Sequence, residues 1–241
     1  MQNKTKNFFR VSAEDFKKIP GSPIAYWMSD KIRNAFDTGV LLGLIADSKQ
    51  GLATADNNRF LRLWHECIYD KINFNCSSNQ ESVMSRAKWF PYNKGGEFRK
   101  WYGNNDYVVN WENGGSEICN FYDRNGKLRS RPQNMNYYFK AAFSWSLVTS
   151  SAAAFRYKPS GHLFDVAGMS FFSNDKLNYL GALCNSKIVM KILQIIAPTI
   201  NYQCGDIANI PVILDNIQRL NIEEMTDFNI KLSKSDWDSY E

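Results

Sequence analysis

Histidine and well-spaced cysteine are what this chain of 241 residues lacks most, and with them the usual ligands for metal or nucleophilic chemistry. Of the two histidines, His65 lies between Trp64 and Glu66, and His162 follows a Pro-Ser-Gly turn; neither has a sequence neighbour that would make it a catalytic base. Cys67, Cys76, Cys119, Cys184 and Cys204 are odd in number and never form Cys-x-x-Cys, so reduced thiols are expected rather than disulfides or zinc. No stretch approaches the roughly 20 apolar residues that cross a bilayer. Met1-Gln2-Asn3-Lys4-Thr5-Lys6 leads into Phe8-Phe9-Arg10 without the apolar centre of a signal peptide. A cytoplasmic chain without membrane contact is the expectation. Also absent are the Gly-x-x-x-x-Gly-Lys phosphate loop, the Gly-x-Gly-x-x-Gly fingerprint and the Gly-x-Ser-x-Gly elbow. There is no internal repeat.

The hydrophobic share, 44% against 22% charged, is that of a globular protein able to bury a core. The net charge is +5, and it is unevenly spread. Between Arg86 and Lys158 twelve basic residues face five acidic ones, a local excess of +7, and the flanks are slightly acidic. Such a basic centre suits phosphate, although a solvated charged surface explains the sign equally well. Within it, Lys88 to Trp111 mixes three tryptophans, three tyrosines, lysines, arginine, amides and glycines. A core would not choose that mixture, because its polar groups would need partners. Phe90, Phe98, Val108 and Trp111 are expected inward, with Lys88, Lys94, Arg99, Lys100, Asn104 and Asn105 outward.

Along the chain, Ser12 and Asp15 suggest a capping-box start to a short helix stopped at Pro20-Gly21. Ser29-Asp30 suggests a second cap, before Ile32 and Phe36. Gly51 to Asn58 is a loop of small and amide residues, read first as a turn, with Thr54 and Asn57 as possible phosphate contacts. Ile118 to Tyr122, Phe143 to Thr149, Phe155 to Tyr157 and Asp165 to Phe172 read as strands. Two amphipathic helices follow, around Leu177 to Leu183 and Ile188 to Ile196, then a polar loop from Thr199 to Ile207 and a polar, acidic tail. The fold class is therefore α+β, a β-rich centre flanked by helical segments. Asp37 with Asp47 and Lys49 has the Asp…Asp-x-Lys order of metal-dependent nucleases, but a solvated helix end is the simpler account of residues so common.

Several blocks resemble one family. They are Lys17-Lys18-Ile19-Pro20-Gly21-Ser22-Pro23-Ile24-Ala25-Tyr26-Trp27, Gly51-Leu52-Ala53-Thr54-Ala55-Asp56-Asn57-Asn58-Arg59-Phe60, Trp89-Phe90-Pro91-Tyr92-Asn93-Lys94-Gly95-Gly96, Asn201-Tyr202-Gln203-Cys204-Gly205-Asp206-Ile207 and Asp236-Trp237-Asp238-Ser239-Tyr240-Glu241. In this order they are similar to the C-terminal half of PglX-type adenine-specific DNA methyltransferases of BREX phage-defence systems, relatives of type IIG restriction-modification enzymes. The resemblance implies a target-recognition region acting on double-stranded DNA. The parent enzyme would use S-adenosylmethionine, supplied with catalysis by a methyltransferase domain that precedes this region. Methylation of this kind needs an Asn/Asp-Pro-Pro-Tyr/Phe motif, and the seven prolines here are never adjacent. The glycine-rich cofactor motif is missing as well, so the fragment alone is expected neither to methylate nor to hold the cofactor.

On that reading residues 1–50 are a helical segment following the methyltransferase domain, 51–214 the recognition domain and 215–241 a polar tail. The expected DNA contacts are Lys88, Lys94, Arg99, Lys100, Asn104, Asn105, Arg129, Arg131 and Asn134, with Thr54, Asn57 and Gln203 on flanking loops. A protein-interaction surface for other defence-system subunits is the alternative.

Overall fold

The computed structural model describes residues 12–149 and 152–240, so the signal-peptide reading of Met1 to Arg10 lies outside the described residues. The helices are α1 (Ala13–Lys17), α2 (Asp30–Thr38), α3 (Asn57–Phe60), α4 (Asn79–Met84), α5 (Glu112–Cys119), α6 (Leu177–Cys184), α7 (Lys187–Ile196), α8 (Cys204–Ala208) and α9 (Arg219–Asp238). The strands are β1 (Val40–Leu41), β2 (Asp47–Lys49), β3 (Leu61–Leu63), β4 (Trp89–Asn93), β5 (Tyr107–Asn110), β6 (Ala142–Ser144), β7 (Arg156–Lys158), β8 (Leu163–Phe164), β9 (Ser170–Phe172) and β10 (Pro211–Val212). The architecture is α+β, as expected.

Two four-stranded sheets organise the centre, one in the order β2-β9-β6-β7 and the other β3-β5-β4-β8; β1 and β10 form a small ribbon. All pairings are antiparallel except β4 with β8, where Tyr92 faces Leu163. β2 lies before residue 50 and pairs with β9 well beyond it, so the first sheet draws on both stretches. Its core joins Leu42 and Ala46 to Phe143, Trp145, Phe155, Phe171, Leu180, Val189, Leu193 and Ile230. The second core gathers Phe60, Phe90, Tyr92, Trp111, Ile118, Phe139 and Phe164. Large rings carry much of the buried area in both, about 150–250 Å² each.

Local chemistry sets the helix starts. Ser29 accepts from the Ile32 amide to cap α2, and Ser186 from the Val189 amide to cap α7; each satisfies an amide that the helix leaves open. Asn185 closes α6 immediately before that second cap, which explains the interruption between the two apolar helices. No single helix among the described residues is long and apolar enough to cross a membrane.

Four local expectations need correction. Ile118 is not in a strand but ends α5, after Asn113, Gly114 and Gly115 have turned the chain through left-handed conformations. The Thr199 to Ile207 loop contains α8, whose first turn is tied by the Gln203 amide donating to Asp206 Oδ2 at 2.8 Å. The polar tail is mostly the 20-residue helix α9, held to α6 by the buried Thr226 and Ile230. Its low mean hydropathy hides the fact that two buried positions four residues apart are enough to dock one face. Phe98, expected inward, is 49% exposed, unlike Phe90, Val108 and Trp111, which are buried.

Candidate nucleic-acid interface

The residues chosen for DNA contact separate into two neighbourhoods. The first begins where β4 leaves its sheet. Tyr92 donates its hydroxyl to Asp165 Oδ2 at 2.7 Å, and Lys94 Nζ approaches the same oxygen at 2.6 Å. Asp165 is buried, and its other oxygen accepts from the Ala167 amide at 2.6 Å. Burial beside that carboxylate pushes the Tyr92 phenol well above its ordinary range. Asn93, also buried, donates to Ser144 Oγ at 2.5 Å and to the Gly168 carbonyl at 2.8 Å. At Gly95, φ is +85° and a Cβ would sit 2.7 Å from the Ala167 carbonyl oxygen, so glycine alone fits. The Trp-Phe-Pro-Tyr-Asn-Lys-Gly-Gly block thus uses its polar groups to fasten the two sheets together.

The loop from Gly95 to Asn105 continues in the same manner. Lys100 Nζ donates to the Asn185 carbonyl at 2.8 Å, and burial lowers its pKa. Asn104 is buried and donates to the Glu97 carbonyl at 3.0 Å. Asn105 Oδ1 accepts from Lys158 Nζ at 2.5 Å, and that ammonium also donates to the carbonyls of Gly103 and Asn104 at 2.8 and 2.9 Å. Arg156, two residues earlier on β7, is 1% exposed; its Nη2 donates to Ser146 Oγ at 3.0 Å, its Nε has no acceptor among the described residues, and burial lowers its pKa to about 10. Arg99 lies over the Trp237 ring at 4.8 Å and pairs with Asp236 at 3.3 Å. Two of the twelve cations behind the +7 excess are therefore under the surface, and three more are engaged on it.

The second neighbourhood is built on different terms. Ala53 and Arg131 form a two-way backbone bridge, the amide of Arg131 donating to Ala53 at 2.8 Å. Thr54 Oγ1 donates to Asn57 Oδ1 at 2.5 Å, and Asn134 donates to the Gln50 carbonyl at 2.9 Å. The Gly51 to Asn58 loop is thus tied to the segment that follows α5. Between Phe121 and Arg131 the chain makes a hairpin, with Tyr122 opposite Leu128. Asp123 Oδ1 accepts from the amides of Asn125 and Lys127 at 2.8 and 2.9 Å, and Gly126 turns at φ +77°. This is an Asx-closed turn.

Arg124, Lys127, Arg129 and Arg131 all stand exposed on it. Among the described residues none of the four has an ion pair. Arg129 rests on the Phe121 ring at 4.6 Å, with Arg59 at 4.9 Å on the same ring. Arg129 and Arg131 were expected contacts. Arg124 and Lys127 were not among them, though an Asp-x-Asn-Gly turn bracketed by cations is visible in the sequence.

The remaining expected contacts join neither set. Lys88 lies 5.6 Å from the Trp89 ring, where Arg62 also rests, and Gln203 donates to Asn201 Oδ1 at 3.1 Å beside α8. The nuclease-like residues are paired locally, Asp37 with Lys18 at 2.9 Å and Asp47 with Lys49 at 3.2 Å. Among the described residues no three His, Cys, Asp or Glu side chains gather as a metal site.

Comparison with known proteins gives this arrangement relatives. No protein-family model matches the chain. It is 38% identical over 246 residues to the adenine-specific methyltransferase PglX of Lacticaseibacillus casei (strain Zhang), which covers 100% of this chain and 20% of that protein. It is 36% identical over 244 residues to the adenine-specific methyltransferase BrxX of Escherichia coli O9:H4 (strain HS), covering 99% of this chain and 19% of that protein. The chain spans about a fifth of the length of the curated relatives it matches. It is therefore related, from one end to the other, to a segment of PglX-type adenine-specific methyltransferases.

Proposed function

We propose that this chain is the DNA target-recognition part of a BREX-type, site-specific adenine methyltransferase. It binds duplex DNA and positions an adenine for transfer of a methyl group from S-adenosylmethionine by a catalytic domain outside this chain. The observation that carries the reading is the Phe121 to Arg131 hairpin, where four exposed cations accompany a single carboxylate already committed to the turn. Guanidinium groups free of ion pairs suit both phosphate oxygens and guanine edges, and a hairpin is narrow enough to enter a major groove. Thr54, Asn57 and Asn134 would then shape the base of the hairpin rather than read sequence.

The test is duplex binding by the full chain across a salt series, with a random-sequence library as probe. Log K should fall by about 0.9 for each phosphate engaged per log unit of salt. Absence of binding at low salt would remove the proposal.

A second reading, a surface for other defence-system subunits, is favoured by the outer side of α9. There Leu220, Phe228 and Leu232 are 71%, 65% and 59% exposed, along one side of the helix. Partner binding that survives replacement of all four hairpin cations would support it.

A further inference from the structure

Where Leu63 pairs with Tyr107, at one end of β3 and β5, lies a cleft of about 440 Å³. Trp64, Tyr69, Phe74, Tyr102, Tyr107 and Trp237 line it. These rings come from four separate parts of the chain, the turns after β3, the loop before β5, β5 itself and α9, so no helical or strand periodicity accounts for their meeting. Tyr69 remains 68% exposed and Tyr107 37%. Aromatic surface left open in a concave wall is unfavourable in water and is the usual lining of a pocket for a flat ligand.

Two further observations narrow the ligand. Lys234, which lines the cleft, lies over the Tyr102 ring at 5.4 Å and is paired with Asp238, and Arg99, over the Trp237 ring but outside the lining, is paired with Asp236. The rim is therefore close to neutral, and the cleft selects a ring rather than a phosphate. Asn105 also lines it. Because Lys158 can only donate, the contact of its Nζ at 2.5 Å fixes the amide oxygen of Asn105 and leaves Nδ2, without an acceptor among the described residues, to face a ligand. The side chain of a phenylalanine or leucine has no acceptor for that donor. Every nucleobase carries ring nitrogens or carbonyls that accept from it.

We propose that this cleft holds a single unstacked nucleobase, its faces against the Tyr69 and Tyr107 walls and an edge acceptor on Asn105 Nδ2. Only the polymer class, DNA, is taken from the preceding reading; the hairpin grips paired DNA, and the cleft receives a base that has left the stack.

The experiment titrates the full chain into oligonucleotides carrying 2-aminopurine, whose emission falls when it stacks. Three probes are compared: single-stranded, fully paired, and paired opposite an abasic position. Strong quenching is expected for the first and third and weak quenching for the second. Tyr69→Ala should weaken single-strand binding about tenfold, within the range found for one base–aromatic stack. Tyr107→Ala, which removes the opposite wall, should weaken it to a similar extent. Asn105→Asp keeps an acceptor for Lys158 but replaces the free donor, and should weaken binding comparably without lowering the melting temperature. Duplex binding without any 2-aminopurine response would overturn the cleft alone. Quenching that persists undiminished in both Tyr69→Ala and Asn105→Asp would do the same. A single-strand response with no salt-dependent duplex binding would overturn the hairpin reading and leave the cleft standing. Failure to bind any of the probes would end both.

Discussion

Gly95 to Asn105 and Phe121 to Arg131 are each eleven residues long, and both mix basic residues with glycine, asparagine and aromatics. The fold treats them oppositely. The first is closed by side chains: Lys100 and Asn104 reach for carbonyls, Asn105 takes the Lys158 ammonium, and Arg156 lies beneath Arg99. Apart from Asn105 Nδ2, little polar capacity is left for a partner. The second is closed by its own backbone and one carboxylate, Asp123, so its four cations remain in solvent. What separates a structural loop from one of similar composition whose cations stay free is which groups close it, since a group that satisfies a buried carbonyl is no longer available to a phosphate.

The sharpest way to break this contrast is Lys158→Met. It leaves the Gly103 and Asn104 carbonyls and the Asn105 amide oxygen without their donor, and a buried acceptor left unsatisfied costs about 1–3 kcal/mol. Urea unfolding should record that loss, and an unchanged midpoint would mean that the loop is not held from below. The converse variant combines Arg124→Ala, Lys127→Ala, Arg129→Ala and Arg131→Ala. Stability should change by no more than about 0.5 kcal/mol per substitution, as is usual at exposed positions. The slope of log K against log salt should fall by about 0.9 for each phosphate that the variant no longer grips. A variant that binds duplex as the parent does would shift the interface elsewhere.

A smaller effect separates the regions by pH. His162 Nδ1 donates to the Pro159 carbonyl at 3.2 Å, and burial together with the Lys158 charge holds its pKa near 3, against 6.5 ordinarily. The unfolded chain binds the proton more readily between those values. The stabilising contribution is thus complete above about pH 6.5 and is lost as pH falls toward 3, by about 1 kcal/mol per unit. In acid titrations His162→Gln should flatten that slope, and the hairpin quadruple variant should not.

Much of the fold was legible because its signals are local. Serine caps, the Asn185-Ser186 break and the alternating apolar helices need only a few neighbouring residues to be read. The family resemblance likewise followed from contiguous blocks. The candidate interface was harder, because whether a lysine is free depends on residues far away in sequence: Lys94 is committed by Asp165, 71 positions on, and Lys100 by Asn185, 85 positions on. No composition or spacing within Lys88 to Trp111 contains that information. The hairpin was more accessible, since its closing residue lies inside it. Charge excess overstated the central segment for the same reason, having counted Arg156 and Lys158 as surface.

Arg99 provides the finest division between the two regions, since it belongs to the loop yet lies on its outer side. Its guanidinium covers Trp237 and pairs with Asp236, whose side chain is 60% exposed. An exposed pair of this kind is worth about 0–1 kcal/mol, and the ring contact about 0.5–1 kcal/mol. Arg99→Ala should therefore lower stability by roughly 1 kcal/mol, chiefly by loosening the end of α9. Because the charge is already neutralised by Asp236, duplex affinity and its salt slope should be almost unchanged. Asp236→Ala is the decisive companion: it frees the cation without moving it from the ring, and should raise the salt slope by up to about 0.9 if Arg99 then reaches a phosphate. A slope that drops in Arg99→Ala would place the loop in the interface despite its internal bonds. A slope that rises only in Asp236→Ala would show that pairing, rather than position, keeps the loop out.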